Sequence, residues 1–311
     1  MVALEAARAP AGSSPSRGSR GMTLRGRRTR IAYAFLIVPI LFYLAIRVYP
    51  TLQAFWLSFT VEGSPGLTLA NYSRMLRDPI FWQSVYNTFL YTVITVPVEM
   101  ALGLLLAMGI DRMGRLRGFY RIVFFLPYMT SIVAVSWVWR LIYARDTGLL
   151  NEILVGLGLP AQGWLNDPSE ALVSVAVVMI WQTMGFSMLI FSAGLNAIPK
   201  EFYEAARIDG AGGWKMFSRI TLPLLNPTIV FLAIIGVIQT LQTFTQIANL
   251  TGGDAMGGPL HSTTSIVVYM YQQGFQSYDM NFASASTVFL FVLILIVTLI
   301  QFRVLNRGYK L

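Results

Sequence analysis

The chain has 311 residues, of which 55% are hydrophobic and only 12% charged, about half the charged fraction of an ordinary soluble domain. Apolar blocks of about 20 residues, the length that crosses a bilayer, predict an all-α membrane protein and exclude a soluble globular one. The absence of cysteine excludes disulfides and thiolate metal sites, and in a membrane protein the net charge of +9 indicates loop orientation rather than a nucleic-acid partner.

In chain order, residues 1–30 are rich in Ala, Gly, Ser, Pro and Arg without apolar periodicity. They are predicted to be a disordered tail and not a cleavable signal peptide, because no short apolar core leads to a cleavage site. Segment 264–280 is too polar and short for a confident span, and is predicted to be half-buried or re-entrant. The six predicted transmembrane helices are 31–53, 83–108, 122–143, 171–193, 227–249 and 282–303.

Basic residues predict how these helices are oriented. Most of the 23 lysines and arginines fall in the tail, in residues 112–121, in residues 200–219 and at the C-terminus. Cytoplasmic loops carry an excess of such residues. With six spans, both termini and the loop at 199–223 are therefore predicted to be cytoplasmic.

The loop at about 199–223 is unusually long and has the pattern of two short helices. Pro199 suits a helix start, Gly210 suits its end, and a second short helix is predicted over 213–220, ended by the sequence TLPLLNP. One face of the first helix carries Lys200, Glu204 and Arg207, and the opposite face carries Phe202, Ala205, Ala206 and Asp209. The pattern fits either a docking surface for another protein, with small alanines allowing close approach, or an amphipathic helix in the lipid headgroups.

This loop resembles the EAA loop of ABC importer permeases. The matching residues are Glu204, Ala205, Ala206, Asp209, Gly210, Ala211, Phe217, Ile220, Leu222, Pro223 and Pro227. The resemblance implies the six-helix fold of type I importers, with a coupling helix that sits in a cleft of a separate ATPase subunit. It implies that Glu204, Ala205, Ala206, Asp209, Gly210 and Phe217 are the coupling residues.

A second stretch resembles the sugar-type permeases, similar to the maltose and glycerol-phosphate systems. The matching pieces are Leu250 to Gly253, Gly258-Pro259, Ser262-Thr263, Tyr269, Tyr271, Phe275 and Ala283 to Ala285. The run between Gly253 and Pro259 is longer than in that family. The resemblance implies a second, homologous permease subunit, two ATPases that bind ATP and magnesium, and an extracytoplasmic solute-binding protein. It implies the cytoplasmic membrane of a prokaryote, with no cofactor in this chain.

Polar residues inside the spans are candidates for a solute path. The fifth span has polar residues spaced to form one helical stripe, at Gln239, Gln242, Gln246 and Asn249. Amides both donate to and accept from sugar hydroxyls, and Trp181 with Gln182 lies near mid-depth in the fourth span. The alternative is that the stripe only bonds helices together.

Glu99 is the one acid well inside a predicted span. A charge inside the bilayer is costly, so such a residue is expected to have a functional role. It could face a partner subunit, pair with a polar group or be protonated. Neighbouring Pro97 is predicted to kink that helix, and Pro127 to kink the third span.

Several classes of site are not predicted. The chain has no G-x-x-x-x-G-K-[ST] phosphate loop and no catalytic motif, so a transport subunit is predicted rather than an enzyme. His261 has no second ligand at metal-binding spacing. The alternatives to a sugar importer are an importer for another small solute, such as a polyamine, and a proton-coupled secondary transporter.

Overall fold

A computed structural model describes residues 24–61, 63, 66–252 and 256–305, and every regular element within these ranges is helical. The α-helices are α1 Leu24–Tyr43, α2 Tyr49–Ser58, α3 Ala70–Arg77, α4 Pro79–Asp111, α5 Arg117–Met129, α6 Ile132–Ile142, α7 Leu149–Gly156, α8 Ala171–Ala197, α9 Lys200–Ile208, α10 Gly213–Met216, α11 Leu222–Leu224, α12 Asn226–Leu241, α13 Thr245–Leu250, α14 Ile266–Tyr271 and α15 Met280–Leu305.

The chain divides into two compact units, residues 1–53 and 54–311. The described part of the first unit is α1, a π-helical turn at Leu44–Val48 and the start of α2. Helix α1 begins at Leu24, earlier than the predicted boundary at residue 31, because extending an existing helix by a few residues costs little. The rest of the predicted tail, residues 1–23, lies outside the described residues.

Within the described residues, four helices are long and apolar enough to cross a membrane: Ile31–Ser58, Pro79–Asp111, Ala171–Ala197 and Met280–Leu305. Two bent helix pairs pass the same test, so six spans result if each pair is one span. Helix α4 runs unbroken through Pro97, and in the second unit α8 packs against α4 and α5 while α4 also packs against α12.

The third predicted span, 122–143, is not one straight helix. The segments Gly114–Met129 and Ile132–Ile142 meet at 94°. The break lies at Thr130 and Ser131, whose ψ angles of 146° and 125° are those of extended backbone. Pro127 lies inside α5, so the chain turns three residues later than the predicted kink.

The fifth predicted span, 227–249, also differs from one helix. Helical structure runs over Gly213–Leu224, past the predicted end at 220, and meets Asn226–Leu241 at 63°. A π-helical turn at Phe217–Thr221 precedes Pro223, which lies in the first turn of α11, where a proline does not disrupt the helix. The sequence TLPLLNP therefore bends the chain only after Leu224.

Segment 264–280 is a short helix packed inside the second unit. Helix α14 packs against α4 and α15 and buries Ile266 and Val268 completely. The loop before it is bonded to α4, since the Asn87 amide donates to the carbonyl oxygens of His261 at 2.9 Å and Thr264 at 3.1 Å.

Candidate solute pathway and coupling surface

A cavity of about 510 Å³ lies between α4, α8 and the broken fifth span. Its volume is large enough for a small organic solute, since ligand pockets usually measure about 300–1,000 Å³. Most of its lining residues carry an amide or a hydroxyl group on an otherwise apolar surface. The lining residues are Thr95, Glu99, Tyr128, Ile132, Met179, Gln182, Thr183, Gly236, Gln239, Thr240, Gln242, Thr243, Phe244, Thr245 and Gln246.

Three glutamines of the fifth span line this cavity, but they do not form the single helical stripe that the sequence predicts. Helix α12 ends at Leu241 and α13 starts at Thr245. Gln239 therefore lies on α12, Gln242 in the break and Gln246 on α13, and all three line the cavity. A backbone break inside a membrane is tolerated where it borders such a cavity.

The break is held by neighbouring polar groups. The Ser265 hydroxyl donates to the Thr243 carbonyl oxygen at 2.7 Å, and the Thr243 hydroxyl donates to Gln246 Oε1 at 3.4 Å. The side chains of Gln239 and Gln242 are exposed within the structure. Their amides are therefore open to a solute.

Two predicted path residues lie outside the cavity wall. Trp181 packs edge-on against Trp139, with ring centroids 5.5 Å apart, and belongs to the apolar core. The Asn249 amide donates to the Thr245 carbonyl oxygen at 2.7 Å within α13. Trp181 precedes Gln182 by one residue, a 100° rotation on a helix, so the two neighbours face different surroundings.

Gln182 itself lies in the wall of the cavity and is only 3% exposed. Its Oε1 atom has no hydrogen-bond partner in the described part of the chain. A buried carbonyl oxygen without a partner is costly, so a group inside the cavity would stabilise it.

Glu99 also faces the cavity and accepts a hydrogen bond at Oε2 from the Thr183 hydroxyl on α8. Gly236 on α12 leaves room for the carboxylate, because a Cβ at that position would lie 3.2 Å from Glu99 Oε1. The carboxylate thus lies where α4, α8 and α12 meet.

Sequence reasoning missed five threonines of the wall, Thr95, Thr183, Thr240, Thr243 and Thr245. A threonine in an apolar span often bonds only its own helix, so its presence alone does not indicate a cavity. Thr183 shows this ambiguity, since its hydroxyl oxygen also lies 2.8 Å from the Met179 carbonyl oxygen in its own helix.

The predicted coupling residues lie on or beside α9 and α10. Most of them, including Glu204 and Asp209, are exposed, whereas Ala206 is buried and Phe217 is partly buried. Ala206 therefore packs against its own chain and does not offer a contact to another protein. Two apolar side chains not predicted for this surface, Ile208 and Trp214, are 87% and 77% exposed.

The turn between the two short helices depends on Gly210. Its φ is +72°, in the left-handed region, and a Cβ there would meet no atom within 4 Å. The Gly210 amide donates to the Arg207 carbonyl oxygen, and the Ala211 amide to that of Ala206 at 2.9 Å. This is the glycine-ended helix that the sequence predicts.

Comparison with known proteins identifies the chain. Residues 99–311 match the family described as "Binding-protein-dependent transport system inner membrane component". The chain belongs to this family. It is thus an inner-membrane permease, a transport component rather than an enzyme, that works with a binding protein and an ATPase.

Relatives of the permease extend the match over most of the chain. It is 34% identical over 271 residues to the lactose transport system permease protein LacF of Rhizobium radiobacter, covering 86% of this chain and 87% of that one. It is 32% identical over 286 residues to the trehalose/maltose transport system permease protein MalF of Thermococcus litoralis, covering 90% and 95%.

The fold of the permease matches a solved importer. A chain of a bacterial alginate ABC transporter, crystallised with an alginate pentasaccharide-bound periplasmic protein, superposes with a TM-score of 0.78 at 25% identity. The match covers 88% of the permease and 93% of that chain. The predicted all-α type I fold is therefore confirmed.

The candidate coupling surface of the permease is anchored to its helical core. The Tyr203 hydroxyl lies 3.1 Å from Thr221 Oγ1, joining α9 to the π-helical turn, and Tyr203 packs against the apolar cluster that includes Ile110 and Phe191. Packed side chains therefore connect α9 to α4 and α8.

An ionic cluster joins α4, α5 and α8 at the same end of the permease. Asp111 Oδ1 accepts from Arg121 at 3.0 Å, from Arg117 at 3.2 Å and from the Ser192 hydroxyl at 3.1 Å. Arg121 also donates to the Ser192 hydroxyl. Because these groups are only partly exposed, the cluster is less screened than a surface ion pair.

Proposed function

We propose that the permease carries a sugar or a related polyhydroxylated solute through the 510 Å³ cavity. The observation that supports this most is the wall of glutamines and threonines within a membrane-spanning bundle. Amides and hydroxyls both donate and accept hydrogen bonds, as sugar hydroxyls do. The names of the relatives, which refer to lactose and to trehalose or maltose, support the same class.

Energy for transport comes from ATP and magnesium bound by a separate ATPase, and this chain holds no cofactor. The ATPase binds the surface formed by Glu204, Ala205, Asp209 and Gly210, with Ala206 and Phe217 supporting it from within. The exposed Ile208 and Trp214 add apolar contact area there. Closure of the ATPase then favours one of two global states of the bundle, and hydrolysis restores the other.

Transport by alternating access also requires partners on both sides of the bundle. A second, homologous permease completes the path as a heterodimer, and the solute-binding protein delivers solute at the extracytoplasmic face. Both termini and the coupling loop lie in the cytoplasm, as the basic residues predict.

The first experiment isolates the tagged chain gently from its native membranes and identifies the proteins that accompany it. We expect an ATPase and a second permease, with the ATPase lost in Glu204→Arg, because the charge at the docking surface is reversed. Glu152→Arg is the matched control, since Glu152 is an exposed acid on α7, and it should retain the ATPase. Isolation of the chain without an ATPase, or equal retention by both variants, would contradict the proposed coupling surface.

The second experiment measures ATP-dependent uptake of a panel of sugars and polyamines by vesicles that contain the isolated complex and its binding protein. We expect uptake of at least one sugar and of no polyamine. Uptake of polyamines alone, or uptake driven by a proton gradient without ATP, would refute the sugar-importer proposal.

A further inference from the structure

The wall of the cavity carries one kind of charge. Among its described lining residues, Glu99 is the only charged side chain, and no lysine, arginine or histidine is present. The other polar groups are neutral amides and hydroxyls. The electrostatic potential of this wall is therefore set by a single carboxylate.

No cation neutralises that carboxylate within the described residues. The aspartates Asp111 and Asp279 have arginine partners, whereas Glu99 accepts a hydrogen bond from the hydroxyl of Thr183. Glu99 is also 9% exposed. A charge in such a place is weakly screened, and it acts strongly on another charge a few ångströms away.

Gln182 adds an unpaired hydrogen-bond acceptor to the negative charge of Glu99. The residue lines the cavity, and its Oε1 atom is buried without a hydrogen-bond partner among the described residues. It can be satisfied by a donor, such as a sugar hydroxyl or an ammonium group. A solute carboxylate or sulfonate has only acceptors to offer and cannot satisfy it.

We propose that Glu99, together with Gln182, makes this cavity a charge filter that admits sugars without acidic groups and rejects acidic sugars such as uronates. This inference rests on the proposed function and names the substrate class for the same cavity. A carboxylate placed beside Glu99 adds like-charge repulsion and leaves Gln182 unpaired, whereas a neutral sugar has several hydroxyls and can donate a separate hydrogen bond to each. Discrimination of tenfold or more against an acidic sugar is expected from one such charge.

Membership of the family leaves the sign of the solute charge open. The solved importer with the same fold takes in alginate, an acidic polysaccharide, and relatives of this permease are named for lactose and for trehalose or maltose. The preference for uncharged sugars is thus argued from the wall of this cavity alone.

The test uses the complex isolated from native membranes, held in lipid nanodiscs, and two probes of nearly equal size, p-nitrophenyl glucoside and p-nitrophenyl glucuronide. Equilibrium dialysis measures the ratio of the two affinities. The wild-type complex should prefer the glucoside at least about tenfold, and Glu99→Gln, which keeps the shape but removes the charge, should abolish most of that preference. Glu152→Gln makes the same chemical change on the exposed surface of α7 and should leave the ratio as in the wild type.

A second variant keeps the test decisive if Glu99→Gln does not assemble. Gln239→Lys leaves Glu99 in place and adds a cation at an exposed position of the wall, so it should raise glucuronide affinity relative to glucoside. A wild-type complex that binds both probes equally overturns the filter. So does glucoside binding with an affinity ratio unchanged in both variants, although the sugar proposal would then stand. Failure of the wild type to bind either glycoside would count against the sugar proposal itself.

Discussion

Gly185 allows α8 to approach the backbone of α5 closely. A Cβ at this position would lie 2.0 Å from the Phe124 carbonyl oxygen and 2.9 Å from the Phe125 Cα. Both atoms belong to backbone, which cannot rotate away. Small residues at membrane helix contacts allow this kind of close approach, and packing supplies much of the association energy there.

We therefore expect Gly185→Ala to destabilise the permease by about 1–3 kcal/mol, the usual cost of overpacking a core. Gly118→Ala is the matched control, since Gly118 is also helical, on α5, and a Cβ there would meet nothing within 4 Å. The midpoint of thermal unfolding in detergent, followed by tryptophan fluorescence, should fall for the first variant and not for the second. Equal midpoints would show that α5 and α8 can move apart to admit the methyl group without loss of stability.

At the scale of elements, breaks in helices decide what the chain can do. The bend between α5 and α6 and the break between α12 and α13 both border the cavity, as Tyr128, Ile132 and Phe244 line it. A straight fifth span would keep Gln242 and Gln246 on one helical surface. The broken span distributes them around an opening.

The coupling segment depends on its own turn, and its two glycines differ in conformation. Gly210 has a φ of +72°, whereas Gly212 has a φ of −71°, which any residue can adopt. Gly210→Val should reduce ATP-driven uptake severalfold or more, because a β-branched residue is strongly strained in the left-handed region. The proposed ATPase-binding surface would then lose its shape while the spans still insert.

Gly212→Val serves as the control for that variant, since it adds the same side chain two residues away in open space. Uptake rates in vesicles, normalised to inserted protein, measure both effects. Similar uptake by the two variants would contradict a role for the turn.

The orientation of the permease in the membrane can be tested directly, because its sequence contains no cysteine. Single cysteines at Ile208 and Tyr278 would be well exposed in the chain without its ATPase, since these side chains are 87% and 83% exposed. In intact spheroplasts a membrane-impermeant maleimide should label Tyr278→Cys and not Ile208→Cys. Permeabilised cells that lack the ATPase, which would otherwise cover Ile208, should show labelling of both. The opposite pattern would place the coupling loop outside the cell and refute the predicted topology.

Sequence alone predicted the properties that depend on neighbouring residues along the chain. Apolar runs of bilayer length predicted a helical membrane protein, because backbone polar groups must be satisfied within each span. The sequence also predicted the helix end at Gly210 in the loop at 199–223, since glycine adopts the left-handed conformation by local preference. The EAA-like residues that surround it led to the family, which the comparisons confirm.

Tertiary structure decided which polar residues face the cavity. Trp181 and Gln182 are adjacent in sequence, yet one packs in the core and the other lines the cavity. One of the bonds at the break in the fifth span comes from Ser265, more than twenty residues further along the chain. Glu99 meets Thr183 only because α4 packs against α8. Periodicity describes the surface of one helix, whereas the path forms where several helices meet, and that meeting depends on contacts between distant parts of the chain.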